Sequence, residues 1–252
     1  MTEIRKAVTV CRRAKVSPML NESEVTGRAR THVVQMLKPR FAAQPEVVQA
    51  FLAMRAAAAQ DGFDLHPFST YRDYDTQLRI WNNKFTGKKP LYDLDGNVRD
   101  FDSLTERQIV EAILHWSALP GGSRHQWGTE IDVVEGNAVA AGYSPKLLPE
   151  ETAVGGIFRE LHLWLDQNIA RFGFFRPYNY FKGGMYPEPW HLSYAPASLE
   201  AIKSVTVDLL TNVTREADIF GKDIALELIP SIYENHILNC VGPDEQRPVV
   251  NL

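Results

Sequence analysis

Cysteine is scarce in this chain, with only Cys11 and Cys240 among 252 residues. They can pair once at most. That excludes a disulfide framework and a cysteine-ligated zinc ribbon, and leaves histidine and carboxylate as the ligands any metal would need. Long apolar runs are missing too. No stretch approaches the roughly 20 apolar residues of a membrane-spanning helix. The opening MTEIRKAVTVCRRAKVSPML lacks the apolar segment of about 7–15 residues that a secretory signal carries. Nor is there an excess of positive charge: 27 Lys and Arg face 31 Asp and Glu, a formal net of −4. No global field therefore draws the chain to nucleic acid. Internal repeats and low-complexity tracts are also absent. What is present is a 44% hydrophobic chain, long enough to bury a large core in one sizeable domain or two small ones.

The first 40 or so residues are irregular. From Pro45 the pattern sharpens: PEVVQAFLAMRAAAAQ has Pro at a first-turn position, strong helix formers throughout and Gly62 placed to end it. LHPFSTYR reads as a strand, and RDYDTQLRIWNNKF as a helix with Tyr74, Leu78, Trp81 and Phe85 at helical spacing. In LYDLDGNVRDF, Asp95-Gly96 has the chemistry of a tight hairpin turn. A calcium loop is the sharper alternative there, but the acids do not follow the twelve-residue spacing and no closing Glu stands where it should. Ser103 and Glu106 are placed as a capping box for ERQIVEAILHWSAL, which Pro120-Gly121-Gly122 stops. A further amphipathic helix is expected from about Phe158 to Arg171, carrying Phe158, Leu161, Leu165 and Ile169 inward and ending at Gly173. Short strands around GTEIDVV and WHLSY flank it. The last 55 or so residues read as helices, interrupted by Pro230. Helices and strands that do not alternate regularly predict an α+β fold, a small antiparallel sheet packed with several helices.

Two segments carry the chemistry. SRHQWGTEIDV contains His125 and Asp132, and EPWHLSY contains Glu188 and His191. A hydrolytic zinc site uses three protein ligands and one open position, and imidazole nitrogen with carboxylate oxygen suits it. His125, Asp132 and His191 supply that number. Seven residues along an unbroken strand would put His125 and Asp132 on opposite faces, so the chain must bend between them, and Gly128 allows it. Beyond the bend, GTEIDV alternates so that Glu130 and Asp132 share a face. Pro189 fixes a turn that frees Glu188 from strand alternation relative to His191. The residue types alone leave other readings open: a histidine packed in a core strand, or His125 and Asp132 as an orienting hydrogen bond.

The pattern Ser-x-His-x-x-Gly-x-x-x-Asp at Ser123, His125, Gly128 and Asp132 is followed by Glu-x-Trp-His at Glu188, Trp190 and His191. It resembles the VanY-type D-alanyl-D-alanine carboxypeptidases, zinc metallopeptidases that share their metal site with lysostaphin-type enzymes and hedgehog domains. STYRDYDTQ resembles the family's strand-end arginine segment, giving Arg72 and Gln77. The resemblance spans roughly Pro45 to Ala197. It implies one zinc per chain held by His125, Asp132 and His191, with Glu188 as general base on the zinc-bound water. It also implies an Arg72 guanidinium offered to a carboxylate or to the developing oxyanion. The alternative for Arg72 is a surface ion pair with Asp73 or Asp75. Gln77 and Ser123 either bind the terminal carboxylate of the peptide or brace the loops, and Trp190 either packs beneath the site or touches substrate.

In one place the sequence departs from the family. A small residue is usual two positions before the ligand Asp, and here Glu130 stands there. It can orient a ligand histidine, receive a substrate amine or crowd the pocket. His32, His66, His115, His162 and His236 receive no function. The expected partner is a peptidoglycan stem peptide or muropeptide, with release of the C-terminal D-alanine, no nucleic acid and no membrane span. The rivals are an endopeptidase or lysin, a noncatalytic zinc-containing binding module, and a non-haem iron oxygenase, whose facial triad also uses two histidines and a carboxylate. Cell-wall substrates lie outside the membrane although no signal is readable. Recycling of wall fragments in the cytosol, release by lysis and unconventional export are the routes that remain. The expected division is an N-terminal extension (1–40), a zinc peptidase core (41–197) and a C-terminal helical segment packed on it (198–252).

Overall fold

The computed structural model describes residues 19–249, so Cys11 lies outside it; Cys240 carries a free thiol. In chain order the elements are α1 (Glu22–Val25), β1 (Val34–Leu37), β2 (Arg40–Ala43), α2 (Pro45–Gln60), β3 (Leu65–Ser69), α3 (Tyr74–Phe85) and α4 (Glu106–Leu114). There follow β4 (Glu130–Glu135), α5 (Gly136–Ala140), α6 (Arg159–Asn168), β5 (Phe174–Phe175), β6 (His191–Tyr194), α7 (Ala195–Ala201), α8 (Val207–Glu216) and α9 (Lys222–Ile232). No helix among the described residues is long and apolar enough to cross a membrane.

Strands β3, β4, β6 and β5 form, in that order, an antiparallel sheet, and β1 and β2 a separate hairpin. The architecture is the expected α+β. Helix α2 starts at Pro45 as its sequence predicts. At the head of α3 the Asp73 carboxylate accepts from the Thr76 amide at 2.8 Å, satisfying one of the donors a helix leaves orphaned at its start. The predicted hairpin is present: Tyr92 bridges Val98, and Asp93 accepts from the amides of Asp95 and Asn97 inside the turn.

Four boundaries differ from expectation. The capping box of α4 is built by Thr105 and Gln108 rather than Ser103 and Glu106, because Ser103 closes a preceding 3-10 turn and its hydroxyl donates to the Asp100 carbonyl. Helix α4 ends at Leu114, well before Pro120. Helix α6 passes at Ile169 into a 3-10 turn that Gly173 ends in the left-handed region. Pro230 lies inside α9, which runs on to Ile232 before a π-helical turn over Tyr233–Leu238.

Two apolar clusters hold these elements. One joins α2 and α6 to the inward face of the sheet through Phe51, Met54, Leu165, Ile131, Val133 and Leu192. The other joins α3 and α4 to the C-terminal helices through Trp81, Ile113, Leu210, Val213, Ile229 and Ile232, and includes Leu20 and Val25 of the N-terminal segment.

Candidate active site

The pairing of β4 with β6 sets the site. Asp132 stands directly opposite His191, and Glu130 opposite Ser193. Because side chains alternate across a strand, these four share one face of the sheet, while Ile131 and Leu192 between them are sealed in the core. His125 reaches the same face from a 3-10 turn over Arg124–Trp127, which Gly128 ends at φ +68°. A Cβ at 128 would come within 2.4 Å of Val33 Cγ1, so both backbone shape and space require glycine there. The bend brings one donor atom each of His125, Asp132 and His191 within 4.8 Å of one another.

Hydrogen bonds on the far side of each imidazole fix which nitrogen looks inward. His125 Nδ1 lies 2.8 Å from the Thr70 carbonyl. A carbonyl only accepts, so Nδ1 carries the proton and Nε2, 3.3 Å from Asp132 Oδ2, presents its lone pair. His191 Nε2 lies 2.8 Å from Glu130 Oε2. A proton held there leaves Nδ1 facing Asp132 Oδ1 at 3.1 Å and Glu188 Oε2 at 3.4 Å. Asp132 Oδ1 and His191 Nδ1 are buried and neither makes a hydrogen bond. They converge with His125 Nε2 on one point, and a set of two nitrogens and one carboxylate oxygen fits zinc.

The electrostatics agree. Burial and the Arg72 charge outweigh Asp132 and keep the His125 pKa below its ordinary value, as a neutral ligand requires. Burial would also lower that of His191, but the carboxylates of Asp132, Glu130 and Glu188 beside it raise it well above the usual range. Burial would raise Asp132, yet His125 and His191 beside it hold it well below the carboxylate range. The surroundings of this point favour positive charge, which is the character of a divalent cation.

Glu130 is fully buried behind His191 rather than on the wall of the cleft. It contacts His191 and does not line the cleft, where a substrate amine would lie. Its other oxygen accepts from Thr129 Oγ1 at 2.8 Å and Ser193 Oγ at 2.9 Å and lies 3.3 Å from Arg124 Nη2. Burial opposes ionisation, but the Arg124 charge and the His191 and Thr129 hydrogen bonds bring the Glu130 pKa down to about 2. A carboxylate holding the outer nitrogen of a metal-ligating histidine orients the ring and raises its basicity.

Arg72 does not pair with Asp73, which caps α3. Its Nη1 donates to Gln77 Oε1 at 2.8 Å and its Nη2 to Ser69 Oγ at 3.0 Å, fixing the guanidinium plane where it feels both Asp132 and Glu188. Gln77, wholly buried, also donates to the Ala118 carbonyl at 2.7 Å. Its amide is engaged behind Arg72, so a direct role in binding substrate is not what the structure shows for it. Glu188 stands at the head of a turn with Pro189 next, closed by the His191 amide donating to the Glu188 carbonyl at 3.0 Å. The Pro189 carbonyl in turn accepts from Arg176 Nε at 2.7 Å.

These side chains line a cleft of about 440 Å³. Ser123 is on its wall. Trp190 is there too, stacked on Trp116 with ring centroids 6.3 Å apart. Among the lining residues that escaped the sequence reading are Lys84, Ser117 and Tyr178, whose ring lies 4.9 Å from that of His191. Lys84 had a signal, since it follows Gln77 by seven residues and shares its helix face.

Fold and site together define an α+β protein whose antiparallel sheet presents to a cleft a His-Asp-His cluster that could hold a metal ion. The chain belongs to the VanY D-alanyl-D-alanine carboxypeptidase family, whose profile matches residues 40–197. It is 39% identical over 103 residues to an uncharacterized protein of Haemophilus influenzae, covering 40% of this chain and 70% of that one. A D-alanyl-D-alanine carboxypeptidase of Enterococcus faecalis is 29% identical over 141 residues, 55% of this chain but only 42% of that protein. Among solved structures, VanYB in complex with D-alanine-D-alanine aligns over 87% of this chain and 92% of its own at 20% identity, with a TM-score of 0.49.

Proposed function

We propose that the protein is a zinc-dependent carboxypeptidase that hydrolyses the C-terminal D-alanine peptide bond of peptidoglycan stem peptides. His125 Nε2, Asp132 and His191 Nδ1 would hold the metal, oriented from behind by the Thr70 carbonyl and by Glu130. Zinc bound there supplies Lewis acidity for the scissile carbonyl and makes water a stronger acid at neutral pH. Glu188 accepts the proton of the attacking water and delivers it to the departing amine, so one carboxylate serves both halves of the reaction. Arg72, braced by Gln77 and Ser69, steadies negative charge as it develops on the carbonyl oxygen. The observation that carries this reading is the Glu188 carboxylate held 3.4 Å from the open nitrogen of His191, since a zinc serving structure alone has no use for a proton-carrying acid beside it.

The test is incubation of zinc-loaded protein with tripeptides, tetrapeptides and pentapeptides ending in D- or L-alanine, followed by mass spectrometry. Loss of a single C-terminal D-alanine is expected. Internal cuts would assign an endopeptidase, and intact peptides together with one tightly bound zinc would assign a binding module. Iron in the native protein would overturn the peptidase reading altogether.

A further inference from the structure

The cleft contains a cation that no acid neutralises. Lys84 sits in the last turn of α3, lines the cleft with Arg72 and Glu188, and donates from Nζ to Ser117 Oγ at 2.7 Å. Lys146, which also lines the cleft, has a carboxylate partner; among the described residues Lys84, like Lys89 on the same cleft, has none, and of these two only Lys84 is held by a hydrogen bond within it. The neutral hydroxyl of Ser117 takes one of its three N–H donors, leaving two for an incoming group. Burial pushes its ammonium down to about 8 despite the attraction of Glu188. A charge withdrawn from water without a counter-ion is costly, and a cleft is where such a cost becomes useful.

Its place in the cleft narrows the use. Arg72 is hydrogen-bonded to Gln77, and Gln77 to the Ala118 carbonyl, while Lys84 is hydrogen-bonded to the neighbouring Ser117, so the two cations stand side by side along one wall of the cleft. A peptide losing its last residue carries negative charge at two points: the carbonyl oxygen under attack, and the α-carboxylate one residue further on, roughly 3.5 Å along the chain. Arg72, with its plane fixed beside the two acids, suits the first.

We propose that Lys84, steadied by Ser117, is the specificity-determining residue that receives the free α-carboxylate of the departing residue and so makes the site an exopeptidase. This rests on the carboxypeptidase reading of the same cleft. A peptide whose chain continues, or whose end is amidated, brings no charge to Lys84 and leaves the ammonium uncompensated.

The test has a binding arm and a turnover arm. In zinc-loaded Glu188→Gln protein, which holds substrate without cutting it, calorimetry compares N-acetyl-D-alanyl-D-alanine with its C-terminal amide. The acid should bind about 10- to 100-fold more tightly than the amide, the worth of a charge-assisted contact. Adding Lys84→Met should bring the two within about 3-fold. Ser117→Ala, which keeps the charge, should lose less. In the turnover arm, Lys84→Met alone should raise KM for the free acid by a similar factor and change kcat little, with Lys84→Arg restoring part of the loss. Melting curves establish that each variant is folded, and Lys84→Gln replaces Lys84→Met if it is not.

An acid-over-amide preference that survives loss of Lys84 overturns the assignment even if hydrolysis proceeds. A preference that depends on Lys84 in a protein that hydrolyses nothing upholds the carboxylate subsite and overturns the carboxypeptidase reading. Binding of neither ligand overturns both.

Discussion

Replacing Glu130 by alanine restores the small residue usual for the family and should damage this protein in two separable ways. The first is stability. Arg124 is 4% exposed and faces Glu130 at 3.3 Å, with Ser193 Oγ accepting from its Nη2 at 2.8 Å. Without the carboxylate the guanidinium is a buried charge left with only a neutral hydroxyl and the face of the Trp127 ring, 4.6 Å from its centroid. Breaking a buried pair from one side costs about 3–5 kcal/mol, which for a chain of this size lowers Tm by about 10 °C. The second is metal binding. His191 loses the acceptor 2.8 Å from Nε2, and removing such a partner typically weakens metal affinity about 10- to 100-fold. Urea unfolding of the apoprotein reads the first effect and zinc competition with a chelator the second. Combining Glu130→Ala with Arg124→Met removes the stranded charge, so most of the stability should return while zinc affinity stays low. Wild-type zinc affinity in either variant would show that Glu130 does not orient His191. Wild-type stability in the single variant would show that the buried pair contributes nothing.

Glu188→Gln should retain one zinc per chain and lose about 10²- to 10⁴-fold in kcat; metal analysis beside steady-state kinetics checks both, and retained turnover would remove Glu188 as the proton carrier. Arg72→Lys should cost about 10²-fold in kcat/KM, because an ammonium cannot reproduce the fork that spans Gln77 and Ser69; unchanged kinetics would place Arg72 outside the reaction. Glu130 has a folded pKa of about 2 against 4.5, so its stabilisation is complete above pH 4.5 and is lost as pH falls towards 2. Glu130→Gln apoprotein should therefore show a flatter acid unfolding profile than wild type over that window, and parallel profiles would refute the linkage. Lys84 has the opposite sense. Its pKa of about 8 against 10.5 means the unfolded chain binds more protons between those values, so wild type gains stability as pH rises through them. Lys84→Met should thus be more stable at pH 7, by up to about 3 kcal/mol, and the gap should close by pH 10.5; a less stable variant at pH 7 would refute the cost assigned to Lys84.

The shared face of the candidate cluster was legible because it depends on local rules, whereas its reading as a metal site came from the resemblance of its motifs. Period-two alternation placed Glu130 and Asp132 on one face, Gly128 marked the bend and Pro189 the turn, and all three readings match the backbone. What those rules do not contain is register. That Asp132 opposes His191, with Glu130 one diagonal away, follows from how β4 docks on β6, and no pattern within either strand specifies it. The same limit hid the engagement of Gln77 with Ala118, 41 residues away, and of His125 with Thr70, 55 residues away. The misplaced cap of α4 had a local cause. Ser103-x-x-Glu106 and Thr105-x-x-Gln108 are overlapping boxes of the same kind, and the 3-10 turn at Phe101–Ser103 decides between them.

Glu130 and Lys84 show why the polar face of this sheet has to be read as a charge distribution and not as a set of ligands. Glu130 brings a third carboxylate beside Asp132 and Glu188, which by itself would make the site too anionic to accept a peptide ending in a carboxylate. The structure answers with cations placed by distance. Arg124, buried although it borders the cleft, is held by Glu130 behind His191. Arg72 and Lys84 stand on the cleft side and remain without a carboxylate partner of their own among the described residues, which leaves them to an anionic ligand. A substitution at Arg124 and one at Lys84 both remove a single positive charge from the same region. The first should act on folding and metal retention, the second on which peptide ends are accepted.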